Sequence, residues 1–183
     1  MLQVELYFML YRGDMLTIRR ETPDDISAIH HVHTVAFGQR NEADLVDALR
    51  QHHALTISLV AAQDGYLVGH IAFSPVTITS RTVTMTALGL APMAVLPAYQ
   101  RRGIGSHLVE AGLTACYNTP YGVVVVLGHP PYYSRFGFTP AKPVGIMWEH
   151  DVPDEAFMVK EIKAGTLART RGVVQYHPEF AMV

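Results

Sequence analysis

Apolar and polar residues alternate along several short stretches of this chain, and apolar residues recur at helical spacing along others. Period-two alternation or a short apolar run predicts a strand, whereas apolar residues three and four apart predict a helix. The predicted strands are 16–19, 55–61, 66–78, 88–96, 123–127, 157–162 and 172–176. The predicted helices are 22–37, 42–52, 104–118 and 132–136.

The order of these elements indicates the fold class. Asp64 and Gly65 separate two predicted strands by two residues, which is typical of a hairpin turn. The run from Val123 to Leu127 is continuously apolar, as in a central strand buried on both faces. A strand, a loop, a helix and another strand in succession then predict an α/β sheet with helices on both faces. The sequence shows no internal repeat or interdomain linker, so residues 15–183 are predicted to form one domain.

The most informative segment joins a predicted strand to a predicted helix. An apolar run stops at Pro97 and is followed by the basic turn Gln100-Arg101-Arg102-Gly103-Ile104-Gly105. The first N–H groups of a helix have no intrahelical partner and lie at the positive end of the helix dipole. Glycines let the main chain approach an anion closely, and arginines match phosphate oxygens. The turn therefore predicts a phosphate-binding loop.

Two segments resemble, in the same order, motifs of the GNAT superfamily of N-acetyltransferases. Residues 93–106 are similar to motif A, the loop that holds the pyrophosphate of acetyl-CoA in that family. Residues 123–138, which end in Tyr-Tyr-Ser-Arg-Phe-Gly-Phe, are similar to motif B, a strand and short helix that carry a catalytic tyrosine. The likeness covers roughly residues 15–140, and the C-terminal stretch also resembles bacterial predicted acetyltransferases of the YhbS type.

This resemblance implies a fold and a cosubstrate. The GNAT fold has a mixed central sheet, helices on both faces and a splayed pair of parallel strands. Acetyl-CoA is the implied acyl donor, and no metal is implied. The loop amides would hold its phosphates, the preceding strand would pair with its pantetheine arm, and a strand N–H near Ala94 or Val95 would polarise the thioester carbonyl. The implied cofactor-binding residues are Met93, Ala94, Val95, Gln100, Arg101, Arg102, Gly103, Ile104, Gly105 and Ser106.

Motif B implies a general acid that protonates the departing thiolate. Two adjacent tyrosines compete for this role. In similar family segments the tyrosine lies immediately before x-Arg-Phe-Gly-Phe, which selects Tyr133 and leaves Tyr132 as a packing residue. The alternative for Tyr133 is a core aromatic residue whose hydroxyl bonds to the backbone.

The base that takes a proton from the amine is less well defined, because family members use a glutamate, a histidine or a chain of waters. His129 follows the predicted central strand, and an ordinary histidine titrates near pH 6.5, which suits a base. We predict His129 as the second catalytic residue; the alternative is a histidine that only lines the cleft. His70 lies in mid-strand and is predicted as a core residue. His30, His31 and His33 diverge around one helix with no cysteine nearby, which argues against a metal site.

Composition restricts the class of protein further. The chain has 183 residues, of which 49 % are hydrophobic, and a net charge of −2, which indicates a globular protein without a broad nucleic-acid interface. Cys116 is the only cysteine; it cannot form an intramolecular disulfide and is predicted as a buried packing thiol. A chain without disulfides suits a reducing cytoplasm. We therefore expect a cytoplasmic monomer or homodimer with no nucleic-acid or membrane partner.

Residues 1–14 precede the segment that resembles the family. Their apolar run from Leu6 to Tyr11 is too short to span a bilayer and lacks the cationic leader of a signal peptide. Val4, Leu6 and Phe8 occupy alternate positions, as in an edge strand. The extension is either an added strand or the product of an upstream translation start.

The two motifs together predict an acetyl-CoA-dependent N-acetyltransferase that moves an acetyl group to a primary amine by direct attack in a ternary complex. No nucleophile and base form an evident pair, so no acyl-enzyme is expected. The alternative is an acyl-CoA-binding sensor or interaction module that keeps the fold without turnover. A nucleotide-binding domain fits poorly, because the loop lacks the Lys-Ser/Thr ending of a Walker loop. A small amine and a peptide amine both stay open as acceptors.

Overall fold

The computed structural model describes residues 7–11 and 14–183, which form strands, α-helices and short 3₁₀ turns. The strands are β1 (Tyr7–Tyr11), β2 (Asp14–Arg20), β3 (Ile57–Gln63), β4 (Tyr66–Thr79), β5 (Thr84–Val95), β6 (Val123–Leu127), β7 (Thr139–Pro140), β8 (Ile146–Trp148), β9 (Phe157–Glu161) and β10 (Gly172–Gln175). The helices are α1 (Ile26–Phe37), α2 (Asn41–Gln51), α3 (Ile104–Cys116) and α4 (Pro130–Tyr133). Among the described residues, no helix is long and apolar enough to span a bilayer.

The chain divides into two compact units. The first unit contains the described residues as far as Phe73, together with 92–112 and 179–183. The second unit contains residues 74–91 and 113–178. The assignment of residues 15–183 to one domain stays a prediction.

The first unit is built on antiparallel strands in the order β1, β2, β3 and β4. Asp64 and Gly65 form the predicted turn between β3 and β4, and both have positive φ, 51° and 82°, as a type I′ hairpin turn requires. β1 pairs with β2 from Tyr7–Ile18 onward, so the described part of the N-terminal extension is a strand. The first residues of the predicted edge strand, Val4 and Leu6, lie outside the described residues.

Helices cover both faces of β4 in the first unit. A Cβ atom added to Gly69 of β4 would lie 3.1 Å from Leu108 of α3. The next residue, His70, is hydrogen-bonded to His33 of α1. Because successive strand residues point to opposite faces, α3 and α1 pack on opposite sides of the sheet. On the α1 side the core cluster consists of Ile29, Val46 and Val60.

The second unit contains the parallel strands. β5 and β6 pair in parallel at Leu88–Val124 and Gly89–Val125, whereas β9 pairs antiparallel with both β6 and β7. β10 is parallel to β8 and antiparallel to the end of β4. β6 is buried as far as Val126, as expected for a central strand. The sheet is therefore mixed, which confirms the predicted fold class.

Some element ends differ from the sequence predictions. β5 begins at Thr84 rather than Leu88, because its hairpin partner β4 continues to Thr79 and keeps the preceding residues in the ladder. α3 ends at Cys116 rather than Asn118, because the last N–H groups bond to carbonyls three residues back. β7 and β8 were not predicted, since two or three residues are too few to show a period.

Candidate active site

The candidate phosphate loop begins where β5 ends, in the first unit. A 3₁₀ turn at Pro97–Tyr99 leads to Gln100, whose side-chain amide donates a hydrogen bond to the Val95 carbonyl at 2.9 Å. The Leu96 N–H donates to the Val68 carbonyl of β4, also at 2.9 Å. These two bonds fix the direction in which the chain leaves the strand. Gln100 therefore holds the loop in place through its side chain.

Left-handed backbone then turns the chain toward α3. Arg101 has a φ of 58° and Gly103 a φ of 85°. A side chain in this region costs about 1–3 kcal/mol, a strain that Arg101 carries and that glycine avoids at position 103. A Cβ atom on Gly103 would meet nothing closer than His107 Nε2, at 3.6 Å. Gly103 therefore leaves open space in front of the backbone.

The first turn of α3 supplies the backbone donors. Its first intrahelical bond runs from the His107 N–H to the Gly103 carbonyl at 3.0 Å, so the amides before His107 have no acceptor within the helix. The Ile104 side chain is buried and anchors the start of the helix. Gly105 and Ser106 follow it, partly exposed. The start of α3 thus offers N–H groups that no carbonyl of the helix accepts.

Positive charge accompanies these donors. Arg101 and Arg102 are exposed, and the Arg102 guanidinium lies 5.4 Å from the centre of the Tyr99 ring. No acidic residue occurs between Pro97 and Ser106. The predicted loop residues therefore lie together in one turn that bears positive charge, and their role in binding phosphate stays a prediction.

The predicted pantetheine strand is the end of β5. Ala94 is buried, whereas Met93 and Val95 are partly exposed. Its neighbour β4 approaches closely, because a Cβ atom on Gly69 would lie 3.3 Å from the Ala94 carbonyl oxygen. Met93, Ala94 and Val95 thus lead directly into the loop.

Tyr133 lies in the second unit, at the end of α4. The helix begins at Pro130, two residues before the predicted start, and a 3₁₀ turn continues it from Ser134 to Phe136. The Tyr133 side chain is 8 % exposed, and its hydroxyl has no hydrogen-bond partner among the described residues. Burial, with a contribution from Tyr132, raises the pKa of the Tyr133 hydroxyl well above its usual value. The phenol is therefore protonated at neutral pH and is a weaker acid than an ordinary tyrosine.

A glycine that the sequence analysis did not single out positions this tyrosine. A Cβ atom on Gly128, just after β6, would lie 2.3 Å from Tyr133 Cε2. The Gly128 N–H donates to the Ala156 carbonyl at 2.9 Å, which holds the backbone in place. On another side, the Phe138 ring meets the Tyr133 ring edge-on, with centroids 5.7 Å apart. The Tyr133 ring therefore packs directly against the Gly128 backbone, between β6 and α4.

Tyr132 has different surroundings. Its ring lies under the Arg135 guanidinium, 4.8 Å from the ring centre, and meets Phe136 with ring centroids 5.3 Å apart. These contacts are those of a packing residue. Tyr133 stays the predicted acid, and Tyr132 the predicted packing residue.

His129 caps the start of α4 through its backbone. Its carbonyl accepts from the N–H groups of Tyr132 and Tyr133 at 2.9 and 3.1 Å. The imidazole is exposed and has no hydrogen-bond partner among the described residues. His129 and the candidate acid thus belong to the same short helix.

A buried polar network in the first unit contains two histidines, His33 and His70. Arg50 donates to both carboxylate oxygens of Glu21, at 2.8 and 3.0 Å, and Ser58 is hydrogen-bonded to Glu21. Ser58 Oγ lies 2.8 Å from His70 Nε2, and His70 Nδ1 lies 2.8 Å from His33 Nε2. His70 is thus a core residue, as predicted, with both ring nitrogens bonded.

The direction of each hydrogen bond follows from the charge on Glu21. Burial raises its pKa, but His70, Arg50 and Ser58 outweigh burial and hold that pKa well below its usual range. An ionised Glu21 only accepts, so Ser58 donates to it and accepts from His70 Nε2–H. His70 Nδ1 then accepts from His33 Nε2–H. His33 Nδ1 is left as a buried acceptor with no partner among the described residues.

This network is poorly suited to taking a proton from an amine. Burial, His70, His30 and Arg50 lower the pKa of His33 to about 2. A histidine with so low a pKa is a very weak base. Cys116 is similarly unreactive, because burial raises the pKa of its thiol to about 12.

Comparison with known proteins identifies relatives over most of the chain. Residues 17–141 match the acetyltransferase (GNAT) domain family. The chain is 36 % identical over 166 residues to the uncharacterized N-acetyltransferase YhbS of Escherichia coli, covering 90 % of this chain and 98 % of that protein. It is also 36 % identical over 152 residues to the uncharacterized N-acetyltransferase YjhQ of the same organism, covering 80 % and 84 %.

Solved structures show the same similarity in three dimensions. E. coli YhbS in complex with CoA matches with a TM-score of 0.84 and 33 % identity over 99 % of this chain and 96 % of that one. A GNAT acetyltransferase of Brucella melitensis in complex with acetyl-CoA matches with a TM-score of 0.74 and 36 % identity over 90 % and 97 %.

Proposed function

The chain belongs to the GNAT family of acetyltransferases, and from this premise we propose that it transfers the acetyl group of acetyl-CoA to a primary amine. The observation that carries the proposal is the loop at the start of α3, with its left-handed Gly103, its position at a helix N-terminus and the exposed Arg101 and Arg102. CoA and acetyl-CoA are present in the solved structures of two relatives that share a third of the sequence or more.

The loop and the end of β5 are proposed to hold the acyl donor. Amides from Arg101 to Ser106 would bind the pyrophosphate, and the two arginines would add charge-assisted hydrogen bonds. Met93, Ala94 and Val95 would pair with the pantetheine arm. A backbone N–H near Ala94 or Val95 would face the developing oxyanion, a contribution of about 3 kcal/mol in other enzymes.

Tyr133 is proposed to donate a proton to the leaving sulfur, and His129 is proposed to accept a proton from the amine. The amine nitrogen attacks the thioester carbonyl carbon, the carbon–sulfur bond breaks, and the departing sulfur takes the Tyr133 hydroxyl proton. Burial raises the pKa of the Tyr133 hydroxyl, so the phenol is protonated at neutral pH and its proton moves only as negative charge develops on the sulfur. His129, with an exposed imidazole, would accept the proton that the amine loses.

Direct attack in a ternary complex is favoured over an acyl-enzyme. Cys116 is buried and its pKa is raised to about 12, so its thiolate is scarce at neutral pH. The same buried free thiol is compatible with the reducing cytoplasm in which we place the protein.

The test combines binding and turnover. Calorimetry with CoA and acetyl-CoA measures occupancy of the loop, and free-thiol release with a panel of primary amines and amine-bearing peptides measures transfer. We expect CoA and acetyl-CoA to bind with micromolar affinity. We expect thiol release only in the presence of one class of amine. Binding without thiol release across the panel would favour the non-catalytic sensor, whereas absence of binding would overturn both.

A further inference from the structure

A second cluster of arginines occurs in the second unit, outside the residues assigned to catalysis. A cavity of about 400 Å³ lies beside the hairpin that joins β4 to β5. The cavity is lined by Arg81 of the hairpin and by Arg169 and Arg171 of the C-terminal region. Ile78 and Met85 add apolar contacts to the lining. No acidic residue lines the cavity. Within the described part of the chain, none of the three arginines has a carboxylate within 4 Å.

The segment that carries Arg169 and Arg171 is firmly held. Between them, Thr170 is fully buried and donates to the Thr166 carbonyl at 2.8 Å, and its hydroxyl also lies 3.1 Å from Met85 Sδ. Just after them, Gly172 has a φ of 141°, and a Cβ atom there would lie 2.4 Å from the Thr79 carbonyl oxygen. Only glycine permits this approach, so the segment is fixed beside the end of β4.

The guanidinium groups are oriented but keep free capacity. Arg171 Nη1 donates to the Ala168 carbonyl at 3.1 Å, and its aliphatic stem lies beside Gly145, where a Cβ atom would be 3.2 Å from Arg171 Cγ. Arg169 Nε donates to the Gly165 carbonyl at 3.4 Å. Each guanidinium has five N–H donors, so most donors of these side chains stay available.

From this arrangement we propose that the cavity is a binding site for a small ligand with two or more phosphate groups. Arginine forks match phosphate oxygens bidentately, and three positive charges without a carboxylate partner suit an anion of high charge. The volume is within the range of small-molecule sites. The chain as a whole carries a net charge of −2, which argues against a long nucleic-acid footprint.

The site is tested with inorganic triphosphate as the probe, titrated calorimetrically into the intact protein at low salt without CoA. A repeat in the Arg101→Gln/Arg102→Gln variant separates this site from the phosphate loop. We expect triphosphate affinity to persist in both proteins and to fall at least tenfold in Arg169→Gln/Arg171→Gln. If the double variant is unstable, Arg81→Gln on the exposed hairpin replaces it as the test and should weaken triphosphate binding several-fold.

Arg40→Gln is the matched control, because it removes one exposed arginine from the first unit and should leave triphosphate affinity unchanged. Absence of binding at millimolar triphosphate, or equal affinity in Arg40→Gln and Arg169→Gln/Arg171→Gln, would overturn the proposal. Tighter binding of a 12-nucleotide single strand than of triphosphate through the same arginines would also overturn it, in favour of an extended polyanion.

Discussion

His33 Nε2 and His70 Nδ1 lie 2.8 Å apart in the interior of the first unit, and both side chains are fully buried. Both histidines are neutral there, since burial lowers the pKa of each. His33 comes from α1 and His70 from β4, so the bond ties a helix to the sheet on which it packs.

This pair predicts loss of stability in mild acid. In the unfolded chain a histidine gains a proton below about pH 6.5, whereas the folded chain resists protonation of His33 until a pH of about 2. The free energy of unfolding is therefore highest above the unfolded pKa. It falls as the pH drops below that value, by about 1.4 kcal/mol per pH unit for each histidine that stays neutral in the folded chain. Urea denaturation at pH 7.5, 6.5 and 5.5 measures the slope.

His31→Gln is the control, because His31 is exposed on the same helix. His33→Gln should flatten the slope, and His31→Gln should not. Equal slopes in both variants would contradict the assignment. At still lower pH the ion pairs contribute as well: the hydrogen bonds from Arg19 lower the pKa of Asp25 to about 2, so its stabilisation is lost below about pH 4.

Gly103→Val should weaken CoA binding by about 2 kcal/mol or more, because it forces a β-branched residue to a φ of 85° in the phosphate loop. Gly38, at the end of α1, offers a control with a φ of 72° and no atom within 4 Å of an added Cβ atom. Gly38→Val should lower stability to a similar degree but leave calorimetric CoA affinity unchanged. Unaltered affinity in a folded Gly103→Val protein would place the cofactor elsewhere.

Tyr133→Phe should reduce turnover about 10²-fold or more while CoA affinity is kept, because it removes only the proposed donor hydroxyl. Tyr132→Phe should reduce turnover far less. Thiol-release kinetics at saturating acetyl-CoA measure both. Lost turnover in Tyr132→Phe with normal turnover in Tyr133→Phe would identify Tyr132 as the acid instead.

Gly128→Ala should reproduce much of the Tyr133→Phe defect, because its Cβ atom would lie 2.3 Å from the Tyr133 ring and displace it. Gly112→Ala is the steric control, since a Cβ atom there would lie 2.4 Å from the Phe73 ring in the first unit. Both variants should lose about 1–3 kcal/mol of stability through overpacking. Only Gly128→Ala should lower kcat; a normal kcat would show that the ring position is not critical.

A chain that starts at Met15 should bind CoA normally, because the loop and its strand come much later in the sequence. It should melt at a lower temperature, since β2 loses the pairing with β1 and becomes an edge. Calorimetry, thermal denaturation and light scattering measure affinity, stability and oligomeric state. Lost CoA affinity in a folded truncated protein would show that the N-terminal strand belongs to the active domain.

Features that depend on neighbouring residues were predictable from the sequence. The turn at Asp64-Gly65, the buried run of β6 and the basic loop from Gln100 to Gly105 each carry their signal within a few residues, because turn geometry, strand period and helix-start chemistry are local. The family resemblance then assigned roles to the loop and to Tyr133. Those roles stay predictions, whereas the mixed α/β fold is confirmed.

Features that depend on distant residues required the tertiary structure. His33 and His70 are separated by 37 positions, and their neutral pairing follows from burial beside Glu21, Ser58 and Arg50. Arg81 and Arg171 are even further apart and converge only because Gly172 lets β10 approach the end of β4. A sequence period encodes which face of an element is apolar, but the partner of a polar side chain is selected by packing, desolvation and charge in the folded chain.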